Sequence, residues 1–105
     1  MPFANNFERA LHFQKHGHEF GASTEIDYEQ MADAFMFGIL APPAQECTRP
    51  NRVDRLRFNN SNRNFGVAHV RPEFLRTFYR VSSIKIARHG GGAAFFGYEC
   101  ARMNL

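Results

Sequence analysis

The chain predicts an α+β domain: two N-terminal helices packed on one face of a small antiparallel sheet of about four strands. Three observations support this. Apolar residues recur at helical spacing over about 3–41, and they alternate with a period of two over about 53–100. The charge reverses near the same place. Residues 1–48 carry Arg9 and Lys15 against seven acidic residues, a net of −5, while 49–105 carry eleven Lys or Arg against Asp54, Glu73 and Glu99, a net of +8. Finally, a hydrophobic share of 44% with twelve Phe in 105 residues is enough for one core and too little for two, so 1–105 reads as a single domain.

The first helix rests on Phe3, Phe7, Ala10 and Leu11, an i, i+4, i+7, i+8 stripe that puts Glu8, His12, Lys15 and His16 on the opposite side. Gly17 is a natural end for it. Thr24, with Asp27 three residues on, caps a second helix whose apolar stripe is Tyr28, Met31, Ala32, Phe35 and Ile39, and Pro42-Pro43 stops it. A polar connection then runs to Val53. Arg55-Leu56-Arg57-Phe58 alternates as a strand, Asn59-Asn60-Ser61-Asn62 turns the chain, and Phe65 to Val70 returns. After the Arg71-Pro72-Glu73 turn, Phe74 to Val81 alternates again. Leu75, Thr77 and Tyr79 fall on one face, and Arg76, Phe78 and Arg80 on the other. Residues 82–87 extend that strand or begin another. Gly90-Gly91-Gly92 reads as a flexible loop before a last strand over Ala93 to Tyr98. Phe65, Phe74, Phe95 and Phe96 are assigned to the core.

No apolar run approaches the roughly 20 residues that span a bilayer. Met1-Pro2-Phe3-Ala4-Asn5 lacks the basic and apolar stretches of a signal peptide. The expectation is a soluble domain with no membrane partner. Cys47 and Cys100 form no metal-binding pair, and two buried free thiols are favoured over one disulfide.

The candidate chemistry lies in residues 12–21, where His12, His16 and His18 accompany Lys15 and Glu19. Imidazoles change charge near neutral pH, so with an ammonium they can accept and donate protons and stabilise an anion without a cofactor. A zinc site on His12 and His16 is the weaker reading, because the pair lacks the intervening Glu of His-Glu-x-x-His and the cysteines are remote. Surface placement of His12 and His16 on a helix is the default for either residue taken alone.

Several segments together carry a family resemblance. His12-Phe13-x-Lys15-His16-Gly17-x-Glu19-Phe20-Gly21 and Tyr28-x-x-Met31-Ala32-x-x-Phe35 are followed by Arg57-Phe58, Asn64-Phe65-Gly66-Val67 and Arg76-Thr77-Phe78-Tyr79. This order resembles the ribonuclease toxin domains of bacterial polymorphic and contact-dependent toxins, in the superfamily that groups barnase, EndoU, the tRNA-cleaving colicins and the RelE toxins. The resemblance runs from about His12 to Tyr79.

It implies a metal-independent endoribonuclease that needs no cofactor and cuts RNA through 2′-hydroxyl attack to a 2′,3′-cyclic phosphate. By the same resemblance, His12, Lys15, His16, Arg57 and Thr77 are the catalytic set. Arg55, Arg76, Tyr79, Arg80, His89 and Tyr98 are the RNA-binding set: Arg76 and Arg80 flank Phe78 on one strand face as an expected platform for phosphates and a stacked base, and by the resemblance His89-Gly90 and Tyr98 stand where relatives complete the site. The implied partners are tRNA, rRNA or mRNA and an acidic immunity protein or antitoxin that covers the basic half. The implied place of action is the cytoplasm, reached by a free-standing protein or by delivery as part of a longer toxin. A non-catalytic RNA-binding module and a protein-interaction domain are the alternatives.

Overall fold

Asn5 opens α1 (Asn6–His16), its side-chain oxygen accepting the Glu8 N–H at 2.8 Å. The computed structural model describes residues 2–103. The helix is rotated from the orientation its apolar stripe suggests. Phe7 is 71% exposed, and Phe3, which lies outside the helix, is buried. Phe13 packs against the core in its place, and His12 and His16 are half-buried. The cause is the preceding segment. Leu75 donates its N–H to the Pro2 carbonyl at 2.9 Å, so Phe3 is pinned beside the sheet and occupies the space the stripe would have filled.

A 3₁₀ turn (Gly17–Phe20) leads into α2 (Glu25–Phe37), capped as expected by Thr24, which accepts the Asp27 N–H at 3.1 Å. Tyr28, Ala32 and Met36 form its buried row. Tyr28 donates its hydroxyl to the Phe78 carbonyl, tying helix to sheet. Gly66 permits this close approach, since a Cβ there would lie 2.6 Å from the Met36 sulfur. The helix ends at Gly38, before the prolines, so Ile39 is 96% exposed rather than part of the stripe, and Met31 lies at the surface.

The sheet is antiparallel in the order β1 (Ala44–Thr48), β2 (Asp54–Asn59), β3 (Asn64–Val70), β4 (Glu73–Arg80). The strand count matches the expectation, but the membership does not. β1 lies in the segment read as a polar connection, paired with β2 so that Cys47 faces Leu56. Residues 82–87 and 93–98, read as strand, lie instead in helical segments, counting the cap Ser82: α3 (Ser83–His89) and α4 (Gly92–Ala101). Ser82 caps α3 by accepting the Lys85 N–H, and Gly90 ends it at φ +96°, so the glycine run is a helix junction rather than a loose loop.

Helices therefore cover both faces. Phe3, Tyr28, Ala32, Met36, Ala68, Leu75 and Phe78 make the core under α1 and α2. Leu56, Phe58, Phe65, Val67, Val81, Phe95 and Phe96 make the core under α4. Phe74 is only half-buried. Cys47 and Cys100 are joined in a disulfide, contrary to the free-thiol expectation: both pack against the core under α4, with their Cα atoms 6.1 Å apart. No described helix is long and apolar enough to cross a membrane.

Candidate active site

The helical period sets Glu8, His12 and His16 in one row on α1, and that row runs along β4. His12 stacks on Phe3 at 5.2 Å between centroids, His16 follows His12 at 6.3 Å, and His16 stacks on Tyr79 of β4 at 5.2 Å. Glu19 fastens the far end. One of its oxygens lies 3.0 Å from His16 Nδ1, and the other accepts the Arg80 backbone N–H at 2.7 Å. His12 Nε2 is 3.6 Å from Glu8, while His12 Nδ1 is buried with no hydrogen-bond partner among the described residues. Burial pulls the His12 pKa below its usual value against the opposing pull of Glu8, so its ring favours the neutral form.

Tyr79 carries this row to a hollow of about 220 Å³. Its polar walls are Arg49, Arg76, Thr77, Tyr79, Glu99 and Arg102, and its apolar floor is Phe65 and Val67. The hollow exists because β3 and β4 slip register between Val67 and Ala68: Thr77 pairs with Val67 and Leu75 with Ala68, leaving Arg76 as the extra residue of a bulge. That bulge separates Leu75, in the α1/α2 core, from Thr77 on the α4 side, so the expected common face of Leu75, Thr77 and Tyr79 does not form. Arg76 is turned to the hollow and away from Phe78, a core residue stacked on Phe20 at 4.1 Å. The expected platform of Arg76, Phe78 and Arg80 is thereby divided. Burial, with Glu99 adding to it, pushes the Tyr79 pKa up to about 12, which keeps the phenol a hydrogen-bond donor at neutral pH.

Arg76 also lines a second hollow of about 340 Å³, with Glu8, Asn5 and Phe74 on its walls; neither His12 nor His16 lines either hollow, and Tyr79 is the contact between their row and the first.

Four residues of the hollow's charge network carry no sequence signal of a motif: Arg49, Asp54, Glu99 and Arg102. Arg49 Nε donates to the Glu99 carbonyl and Nη2 to the Glu99 carboxylate, both at 2.8 Å, and Nη1 lies 3.7 Å from Asp54. Burial lowers the Arg49 pKa against the pull of Glu99 and Asp54, and the guanidinium remains charged. Glu99, a charge inside an otherwise apolar helix, is the one member whose setting in the sequence hints at a buried partner.

Other expected site residues lie elsewhere. Arg57 is on the opposite sheet face, buried, with Nη1 donating to the Phe35 and Gly38 carbonyls at 3.1 and 2.7 Å and Nε to Glu46 at 2.7 Å. It caps the C-terminus of α2, because those orphan carbonyls sit over β2. Arg55 shares that face, paired with Glu46 at 3.5 Å and lying over Phe37. Arg80 reaches Asn64 at 3.2 Å and covers Phe20. Lys15 is exposed at the end of α1. His89 and Tyr98 form a ring pair at 4.8 Å on α3 and α4 and do not line the hollow; they neighbour it through Arg102, whose guanidinium lies 5.9 Å from the Tyr98 ring, and through Phe95, which lies 5.5 Å from His89 and 5.4 Å from Phe65. His18 is exposed, and His69 holds the Pro72 carbonyl at the β3–β4 turn.

No protein-family model matches this sequence, and no curated protein matches it.

Proposed function

We propose that the protein is a toxin-type endoribonuclease that needs no metal. The observation that carries this reading is the imidazole row of α1 ending on Tyr79, which is itself a wall of the arginine-lined hollow beside Thr77. His12, kept neutral by burial, takes the proton of a ribose 2′-hydroxyl. The freed oxygen forms a bond to the adjacent phosphorus as the bond to the 5′-oxygen breaks, and His16, hydrogen-bonded to Glu19, returns a proton to that leaving oxygen. Arg76, with the Thr77 hydroxyl and the neutral Tyr79 phenol, stabilises the charge on the phosphoryl oxygens. The products are a 2′,3′-cyclic phosphate and a free 5′-hydroxyl.

The charge reversal fits the same reading. The half of the chain that carries the hollow has a net of +8 and suits RNA, and it equally suits an acidic immunity protein or antitoxin. The Cys47–Cys100 disulfide suits a chain that passes through an oxidising compartment before reaching a target cytoplasm.

Incubation of the purified protein with total bacterial RNA in EDTA, followed by sequencing of the ends, tests the proposal. Discrete fragments with cyclic phosphate termini are expected, and His16→Ala and His12→Ala should each slow their formation by about 100- to 10,000-fold. Intact RNA that still binds the protein, indifferently to His16→Ala, would instead indicate a non-catalytic RNA-binding module.

A further inference from the structure

Five charged side chains on the α4 side of the sheet form an unbroken chain: Arg76–Asp54–Arg49–Glu99–Arg102. Arg76 Nη1 lies 3.4 Å from Asp54, and Arg102 Nη1 lies 3.1 Å from Glu99. The three inner members are almost wholly enclosed, with side-chain exposures of 0% for Asp54, 2% for Arg49 and 4% for Glu99. The outer two are not, at 35% for Arg76 and 38% for Arg102. A buried ion network of this extent is costly to desolvate and is weakly justified by stability alone. Its geometric effect is specific. Each outer guanidinium is held by one Nη on a fixed carboxylate, which leaves its other donors for a ligand, and both outer residues line the same hollow.

We propose that Arg76 and Arg102 are a two-armed clamp for a phosphate group, carried on the buried rail Asp54–Arg49–Glu99 and seated over Thr77 and Tyr79. The network carries a net charge of +1, so a singly charged phosphodiester neutralises it. The Thr77 hydroxyl and Tyr79 phenol complete a donor set of the kind a tetrahedral anion accepts. Asp54 and Glu99 each offset one arm on its inner side, which lowers the repulsion between the two arginines. The clamp does not use Arg57 or Lys15, and it brings in Arg102, a residue on the C-terminal side of the fold. The choice of an RNA phosphodiester over a free phosphate rests on the nuclease reading; the anion site does not.

Two probes separate these. Amide chemical shifts and calorimetry on the full oxidised chain, titrated with inorganic phosphate and with a 2′-O-methylated oligoribonucleotide that cannot be cleaved, should show both ligands perturbing Arg76, Thr77, Tyr79, Glu99 and Arg102. Arg76→Gln and Arg102→Gln should each weaken both ligands about tenfold or more, while Arg88→Gln, exposed on α3, leaves inorganic phosphate binding unchanged. Both substitutions alter partly exposed ends of the network, so folding is checked directly by the same spectra. Inorganic phosphate bound at the clamp with no oligonucleotide binding would uphold the anion site and overturn its assignment to RNA. Native-like affinity in both arginine variants, or shifts confined to other residues, would overturn the clamp itself, even if RNA cleavage is observed.

Discussion

His12 shows how a single position ties stability to chemistry. Its pKa in the folded protein lies below the usual value because its ring is packed on Phe3, so the unfolded chain binds its proton more readily. Stability from this residue is therefore complete above the unfolded value near 6.5 and declines as pH falls through and below it. His12→Phe should, on the proposed nuclease reading, slow RNA cleavage by about 100- to 10,000-fold and, independently of that reading, flatten the fall in melting temperature between pH 7 and 5 relative to the native chain; parallel curves would refute the buried neutral imidazole. Arg57 makes the opposite case. The resemblance marks it as catalytic, yet its donors are taken by the α2 carbonyls. Arg57→Leu is expected to cost about 2–4 kcal/mol in urea unfolding through those unmet acceptors, with cleavage per folded molecule retained. Lost cleavage in a fully folded variant would return Arg57 to the active site.

At the level of elements, α4 and the Pro2–Phe3 segment do the most to shape the site. α4 is joined to the chain around β1 twice, by the Cys47–Cys100 disulfide and by Arg49 gripping both the carbonyl and carboxylate of Glu99. The disulfide spans 53 residues, a loop whose closure is worth about 4 kcal/mol in the chain-entropy view. Reduction, or Cys47→Ala with Cys100→Ala, should lower stability by about that amount and loosen the Glu99 and Arg102 wall, read as faster amide exchange in α4; unchanged exchange would show that the ion pairs suffice. Phe3 supports α1 from the other side. Phe3→Ala should cost about 3–5 kcal/mol and free the His12 ring from its stack. Much of α1 and α2 was legible, since Asn5 and Thr24 cap them and Tyr28 and Ala32 repeat at i+4. The signal for α3 was present too: Ser82 before it, then Arg88 and His89 before Gly90, mark a helix start and stop. β1 and α4 gave weaker signals. Ala44-Gln45-Glu46-Cys47-Thr48 is a polar edge strand, and the adjacent Phe95-Phe96 fits a short buried strand as well as a helix.

Across the whole molecule, the basic half forms most of the sheet and both C-terminal helices, and the acidic half supplies α1 and α2. RNA affinity should therefore fall steeply with salt. If three or four phosphates are contacted, a log–log slope of about −2 to −3 is expected for single strands, measured on the uncleavable oligonucleotide. A flat dependence would mean that the positive half does not meet the nucleic acid, and would favour a protein-interaction role.

Local order was within reach of the sequence: the fold class, the two N-terminal helices, the β2–β3 and β3–β4 turns, and the concentration of histidines in α1. These depend on caps, periodicity and turn residues, whose forces act over a few neighbours. The rotation of α1 onto Phe3, the bulge that swings Arg76 away from Phe78, the Cys47–Cys100 bond and the rail through Arg49 and Glu99 were settled only in three dimensions. Each joins segments up to 53 residues apart. Long-range ion pairs and stacking have no period to read, and they form only where packing has already excluded water.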